Sequence, residues 1–160
     1  MSTKWTAAYI RLPTVPQEDT TAMNTFSRSI DLLQREMNVA NLRYQVSANN
    51  LANSEVPNFK RSTVNFESEL KRAFDSEEAA KSAFHLSTTN SRHIQVNVPY
   101  DYRDVEPRRV LDYTSTSKAN GNNVDAETEA NNILQIQMQY RLLTQLTDFE
   151  FDQVNTAMKK

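Results

Sequence analysis

The chain has 160 residues, of which 38% are hydrophobic and 24% are charged, and its net charge is −2. This near-neutral charge gives no electrostatic reason to expect a nucleic acid or an anionic membrane surface as a partner. Because the chain has no cysteine and a single glycine, Gly121, it contains no disulfide, thiolate zinc site, cysteine nucleophile or glycine-rich phosphate loop.

The amino-terminal segment, residues 1–22, is predicted to be an irregular extension. Pro13 and Pro16 interrupt helix formation, and Arg11 and Pro13 leave no continuous apolar stretch of signal-peptide length. No apolar run in the sequence approaches the roughly 20 residues that span a bilayer. We therefore predict no membrane span and, if the chain is exported, a route other than a cleaved secretory signal.

A long amino-terminal helix is predicted over residues 23–53. Apolar or amphipathic residues recur there at alternating spacings of four and three, which is typical of a heptad seam. Leu32, Val39, Leu42 and Val46 widen the apolar face beyond that seam. A face this broad favours contact with more than one neighbour.

The helix is predicted to end in a turn within residues 47–60, whose sequence is SANNLANSEVPNFK. Pro57 disfavours helix at the preceding residue, and Asn58 adopts the left-handed conformation more easily than most residues. The segment is either a plain helix terminus or a rigid elbow that sets the angle between the helix and the middle region. The residues that define this turn are Ala48, Asn49, Asn50, Leu51, Ala52, Asn53, Pro57, Asn58, Phe59 and Lys60.

The middle region, residues 54–122, is less regular. Phe66, Leu70 and Phe74 recur at every fourth position, which predicts a short amphipathic helix that continues towards residue 83. Residues 93–98 alternate polar and apolar side chains, as a half-buried strand does, and residues 108–114 are predicted to pair with them. The region therefore combines the turn, one short helix and short strands.

A second long helix is predicted over residues 123–160. Asn120 and Gly121 form a turn signal, and either Asn123 or Asp125 is suited to cap the helix that follows. Two apolar stripes run along this helix. The first consists of Ile133, Ile136, Tyr140 and Leu143, and the second of Leu134, Met138, Leu142, Leu146 and Phe149.

These segments predict a mainly α fold. Its long N- and C-terminal helices pack as a coiled coil or helical bundle, with a small irregular middle region carrying short β-strands. The residues predicted to serve helix packing or assembly are Phe26, Ile30, Leu33, Met37, Ala40, Tyr44, Leu51, Ile133, Ile136, Tyr140, Leu143 and Leu146.

The sequence contains no recognisable catalytic arrangement. His85 and His93 match no helical spacing for metal ligands, and the acidic residues 75–78 are interpreted as a solvated helix end rather than a general acid–base pair. Basic residues between positions 103 and 109 lie beside tyrosines, but neighbouring acids cancel most of their field. We therefore predict no catalytic, cofactor-binding or metal-binding residue, no nucleic-acid partner and no enzyme.

The turn at residues 47–60 resembles the Asn-Leu-Ala-Asn…Thr-Pro-Gly-Tyr signature near the amino terminus of bacterial flagellar rod, hook and related axial proteins. Residues 64–71, 89–94, 121–125 and 137–140 are similar to later segments of rod proteins in that family, in the same order. The resemblance covers about residues 23–158. Val56, Asn58 and Phe59 replace the usual Thr, Gly and Tyr of the signature, yet they keep a turn and an aromatic anchor.

The resemblance implies a structural subunit of the flagellar basal body, within the periplasm, that is exported by the flagellar type III apparatus without a cleaved signal peptide. It would polymerise with other rod proteins into the proximal rod, transmit motor torque and form part of the export channel. The implied partners are further copies of the chain, FlgC-, FlgF- and FlgG-type rod proteins, a FliE-type adaptor, and the MS ring and export gate.

Two alternatives stay open at this point. One is a soluble coiled-coil adaptor or export chaperone that binds one partner and never polymerises, and the other is a small hydrolase that uses His93 and an acid. The elbow discriminates between rod subunit and adaptor, because an adaptor needs no fixed turn after its helix.

Overall fold

The structure is a computed structural model that describes residues 18–84, 98–115 and 118–159, with side chains described from Thr25 onward. Its helices are α1 (Glu18–Ala52), α2 (Glu67–Ser82) and α3 (Ala126–Met158), and its strands are β1 (Ser62–Asn65) and β2 (Arg108–Leu111). A short 3-10 turn, Tyr102–Asp104, precedes β2. The two long helices pack together and the small sheet lies in the middle region, so the predicted mainly α fold class is confirmed.

Helix α1 begins earlier than the sequence suggested. It starts at Glu18, so residues 18–22 are helical rather than part of an irregular extension, whereas residues 1–17 lie outside the described residues. Pro16 is the last proline before the helix and no other occurs before Pro57, so nothing interrupts the helix in between. At its other end the helix stops at Ala52, where the Asn53 amide still donates to the Asn49 and Asn50 carbonyls at 3.2 and 3.1 Å.

Helix α1 is the central element, with α3 on one side and the middle region on another. The rings of Phe26 and Phe151 meet edge to face with their centroids 5.8 Å apart. Phe26 lies in the first half of α1 and Phe151 near the end of α3, so the two helices run antiparallel. The other side of α1 contributes Val39 to a hydrophobic core that it shares with Phe66, Ala73 and Val105. These two packing surfaces account for much of the broad apolar face of α1.

The sheet has two antiparallel strands, with Ser62 opposite Leu111 and Asn65 opposite Arg108. The strand expected at residues 108–114 is therefore present over its first part. Its expected partner at residues 93–98 falls mostly outside the described residues, and the partner that the structure shows is β1. Strand β1 is fixed in place because the Asn50 side chain bonds both backbone groups of Ser62, which joins this strand to the end of α1.

Helix α2, the short amphipathic helix expected from the sequence, is tied to α1 by ion pairs. Arg28 donates to both carboxylate oxygens of Glu77, at 3.1 and 2.5 Å, and Arg43 pairs with Glu67. The Arg28 guanidinium also lies 5.4 Å from the ring centroid of Phe74 and 5.0 Å from that of Tyr102. Such cation–π contacts and a bidentate ion pair orient α2 and the 3-10 turn against α1.

The Arg28–Glu77 pair predicts a specific dependence of stability on acid. Hydrogen bonds from Arg28, and secondarily from Lys81, lower the pKa of Glu77 from its ordinary value of 4.5 to about 2. A carboxylate with a lowered pKa stabilises the folded state above its unfolded pKa, and this contribution is lost as the pH falls from 4.5 through about 2. Denaturant unfolding should therefore show the wild type more stable than Glu77→Gln at neutral pH, with the difference shrinking below that ordinary value. A difference that does not change with pH would contradict this role of Glu77.

Candidate functional site

The end of α1 and the start of α3 meet at a cluster that we call the interhelix junction, formed by residues 47–62 and 118–129. Every buried polar side chain among the described residues lies there: Ser47, Asn50, Ser62, Asn122, Asn123 and Glu129. Buried polar groups are costly unless they are hydrogen-bonded, so a cluster of six fixes one geometry. Among the described residues, the junction therefore has the most strongly specified shape.

Asn50 connects α1 to β1. Its side-chain nitrogen donates to the Ser62 carbonyl at 2.8 Å, and its side-chain oxygen accepts from the Ser62 amide at 3.0 Å. The carboxamide thus bonds the Ser62 backbone groups as a neighbouring strand would. Asn50 is only 1% exposed, so the loss of either bond would leave a buried backbone group unpaired.

The Asn122 side chain caps the carboxyl end of α1 although it lies 66 to 69 residues later in the sequence than the groups it bonds. Its side-chain nitrogen lies 3.0 Å from the Asn53 and Ser54 carbonyls and 2.8 Å from the Val56 carbonyl. Its side-chain oxygen accepts from the Val124 amide at 2.7 Å. Carbonyls at a helix end and in the turn after it lack intrahelical partners, and here one amide side chain satisfies several of them.

Two residues with positive φ bring the two turns of the junction together. Asn58 has a φ of 60°, the left-handed conformation expected from the sequence, and Gly121 has a φ of 80°. The Asn58 amide donates to the Asn120 carbonyl at 3.1 Å, and Lys60 Nζ donates to the Gly121 carbonyl at 3.0 Å. These bonds tie the signature turn to the turn that precedes α3.

Replacing Gly121 by alanine is expected to destabilise the fold. An added Cβ would lie 2.6 Å from Asn58 Oδ1, and a residue with a side chain is strained at this φ. The left-handed conformation alone costs a residue other than glycine roughly 1–2 kcal/mol, so we expect at least that loss in urea unfolding. Asn58→Gly is the matched control, because glycine keeps the required φ, and it should change stability little. Equal stabilities of wild type and Gly121→Ala would contradict the observed turn geometry.

A partly buried ion pair joins Arg61, directly before β1, to the first turn of α3. Arg61 Nε lies 2.5 Å from Glu129 Oε1, and the Glu129 side chain is 1% exposed whereas that of Arg61 is 30% exposed. Among the described residues, Glu129 Oε2 has no hydrogen-bond partner. The Arg61 amide also donates to Asn123 Oδ1 at 2.6 Å. These bonds hold the start of α3 against the strand that follows the signature turn.

The structure decides which residue caps α3. Asp125 is the N-cap, because its carboxylate accepts from the Glu127 amide at 3.2 Å and from Thr128 Oγ1 at 2.6 Å. The Thr128 hydroxyl and the Glu127 amide lower the pKa of Asp125. Asn123 instead donates to the Asp112 carbonyl at 2.8 Å and thereby ties the junction to the segment after β2.

The other residues of the predicted signature turn have less specific positions. Asn53 donates from its side chain to the Asn49 carbonyl at 2.8 Å, whereas Phe59 and Lys60 are half-buried. Ala48 and Leu51 are also half-buried, and the remaining members of the set are exposed: Asn49, Ala52 and Pro57.

Sequence reasoning did not assign Arg61, Asn122 or Glu129 to any site. The sequence offered a signal for two of these residues, Asn122 and Glu129. Asn122 follows the single glycine of the chain, and Glu129 extends the first apolar stripe of α3 backwards at the same helical spacing. A charged residue in line with apolar ones indicates a buried partner, although it does not identify that partner.

The predicted packing residues divide into two groups. Those that face between α1 and α3 are buried or half-buried, except Tyr44 and Tyr140, which line a groove there with Ala40 and Ile136. The half-buried members of this group are Phe26, Ile30, Leu33, Met37, Leu51, Ile133 and Leu143. Leu146 belongs instead to the outer stripe of α3, whose five members are 41% to 63% exposed: Leu134, Met138, Leu142, Leu146 and Phe149.

The described part of the chain contains no group of three or more acidic or histidine side chains that could hold a metal ion, and His85 and His93 lie outside it. Within the acidic residues 75–78, Glu77 is engaged by Arg28. No described helix has the length and hydropathy that a membrane crossing requires.

Sequence comparison identifies relatives that share nearly the whole chain. The flagellar basal body rod protein FlgB of Borreliella burgdorferi is 42% identical over 137 residues, which cover 86% of this chain and 100% of the relative. FlgB of Borrelia hermsii is 44% identical over the same shares, and FlgB of Bacillus subtilis is 28% identical over 85% of this chain and 97% of the relative. No protein-family profile matches the chain. The shared length and identity show that this chain belongs to the FlgB family of flagellar basal body rod proteins.

Proposed function

We propose that this chain polymerises with other rod proteins into the proximal rod, where it transmits motor torque and forms part of the export channel. As a member of a basal body rod protein family, it is a component of the flagellar basal body and associates with other rod components. The proposed neighbours are further copies of the chain and FlgC-, FlgF- and FlgG-type proteins. A FliE-type adaptor, the MS ring and the export gate would lie at its base, within the periplasm.

The outer stripe of α3 is the observation that carries this proposal. Its five large apolar side chains, from Leu134 to Phe149, point away from α1 and remain exposed along four turns of helix. Exposed apolar surfaces of this extent mark interaction sites, because burying each such side chain contributes roughly 1.5–3 kcal/mol. A stripe used on one side of a subunit, against a different surface of the next, produces heterologous contacts, and these build helical arrays.

The distribution of buried residues supports the same conclusion. Among the described side chains, all buried ones lie between Val39 and Ile136. The first half of α1 and the last two thirds of α3 therefore pair with each other without a fully buried core. In an assembly, neighbouring subunits would complete the burial of these helix ends.

The junction supports a role in transmitting load. It bonds the end of α1, strand β1, the segment after β2 and the start of α3 into one network, and a force on the helices would pass to the middle region through these bonds. We propose that the helix pair forms the packing part of the subunit, and that the middle region, residues 54–122, faces outward from the rod.

Deleting the gene for this chain tests the proposal. Electron microscopy of basal bodies from the deletion strain should show no rods, and the cells should not swim. Complementation with an epitope-tagged copy should restore both, and the tag should copurify with basal bodies. Intact rods in the deletion strain, or a tagged chain absent from purified basal bodies, would instead support a soluble adaptor or export chaperone that does not polymerise.

A further inference from the structure

The turn that closes the junction contains a chemically reactive dipeptide. Asn120 is exposed and precedes Gly121, the single glycine of the chain, so this is its sole Asn-Gly pair. Glycine lacks a side chain, so its backbone nitrogen approaches the preceding asparagine side chain with little hindrance. That nitrogen can bond to the asparagine Cγ with loss of ammonia, which closes a succinimide ring. Water then opens the ring, giving either aspartate or isoaspartate, in which the backbone runs through Cβ.

The folded junction holds the groups of this reaction in hydrogen bonds. The Gly121 amide, which must lose its proton to attack, donates to the Lys118 carbonyl at 3.1 Å. The Asn120 side-chain oxygen accepts from the Asn122 amide at 3.1 Å, and the Asn120 carbonyl accepts from the Asn58 amide at 3.1 Å. Ring closure requires rotation of the Asn120 side chain and of the following peptide, which breaks these bonds. An unfolded chain has none of them to break.

Isomerisation at this position would also prevent the junction from closing. Isoaspartate adds one carbon to the backbone directly before Gly121, at a turn where a Cβ placed on Gly121 would already lie 2.6 Å from Asn58 Oδ1. The shift would carry Asn122 away from the three carbonyls that it caps at the end of α1. Direct conversion to aspartate adds a charge but leaves the backbone length unchanged.

We propose that Asn120-Gly121 is a spontaneous deamidation and isomerisation site that the folded junction protects. The modification accumulates while the chain is unfolded, and the isoaspartate product no longer forms the junction. This proposal concerns the chemistry of the turn and does not depend on the role of the chain in the rod.

Peptide mass spectrometry of the purified full chain, incubated in mildly alkaline buffer with and without concentrated urea, tests the proposal. In urea, Asn120 should deamidate faster than the other asparagines, such as Asn53 and Asn58, which serve as internal controls. In the folded chain its rate should be at least about tenfold lower, because several hydrogen bonds must open first. Asn58→Val, which strains the positive φ and weakens the junction, should raise the rate without urea towards the rate in urea.

Three outcomes of the deamidation measurements would overturn the proposal. Equal rates with and without urea would show that the fold gives no protection, and equal rates for all asparagines in urea would show that the dipeptide is not a preferred site. An unchanged rate in Asn58→Val would show that the junction is not the protecting element.

The stability of the refolded chain distinguishes the two products. Chains carrying isoaspartate should refold with a lower unfolding midpoint, whereas Asn120→Asp, with a backbone of normal length, should unfold close to the wild type. Equal midpoints for the isoaspartate chain and the wild type would contradict the proposed damage.

Discussion

Replacing Arg61 by methionine is expected to lower the free energy of unfolding by about 3 kcal/mol, the lower end of the range for breaking a buried ion pair. The reason is that Glu129, whose side chain is 1% exposed, would keep its carboxylate inside the junction without a cation. The lower end applies because Arg61 itself remains 30% exposed and is partly solvated. Equilibrium urea unfolding, followed by far-UV circular dichroism, measures the change.

Arg43→Met is the matched control for this experiment. Arg43 pairs with Glu67, but the Glu67 side chain is 58% exposed, so water replaces the lost partner. Exposed pairs contribute about 0–1 kcal/mol, and we expect a loss in that range. The double variant Arg61→Met/Glu129→Leu should be more stable than Arg61→Met alone, because it removes the unpaired charge. Equal losses in Arg61→Met and Arg43→Met would show that the buried pair does not stabilise the junction.

Aspartate at position 138 or 142 is expected to abolish rod assembly and swimming while leaving the isolated chain folded. Met138 and Leu142 lie in the outer stripe of α3, and a carboxylate there would be buried without a partner in any apolar interface. In the isolated chain both positions face water, so the unfolding free energy should change by no more than about 0.5–1 kcal/mol. Soft-agar swimming and electron microscopy of basal bodies measure assembly, and circular dichroism measures folding.

Ala79→Asp serves as the control for the stripe variants, because Ala79 is an exposed helical residue on α2, whereas the outer stripe lies on α3. Cells with this variant should swim. Normal rods in Met138→Asp and Leu142→Asp would exclude the outer stripe as an assembly surface. A large loss of helix in the isolated variants would instead show that the stripe stabilises the monomer.

These two experiments separate the two kinds of surface in the molecule. The buried polar side chains of the junction bond other parts of the same chain, so their variants should change stability in the isolated chain. The outer stripe is apolar and exposed, so its variants should change assembly. The groove that Tyr44 and Tyr140 line has properties of both surfaces. It belongs to the α1–α3 contact, and both tyrosine side chains are partly exposed to solvent.

Local signals in the sequence determined much of the fold. Heptad and helical spacing placed α1 and α3, the two candidate caps Asn123 and Asp125 placed the start of α3 within a few residues, and Pro57 set the end of α1 equally closely. Asn58 was expected in the left-handed conformation and has it. Each of these features depends on a residue and its immediate neighbours, which is why the sequence alone was sufficient. The early start of α1 at Glu18 could not be predicted in this way, because a polar segment without hydrophobic periodicity gives no signal for a helix.

The tertiary structure alone decided which of these pieces meet. Asn122 caps carbonyls 66 to 69 residues away, and Arg61 pairs with Glu129 across 68 residues. Spacing in the sequence carries no information about such contacts, since they depend on how the helices pack. The same holds for the stripes of α3, which look alike in the sequence, although one packs on α1 and the other remains exposed. The sequence thus determined that the chain has two long helices and a turn between the first helix and the middle region. The fold decided that this turn is bonded to residues 118–122, and which apolar stripe of α3 stays exposed.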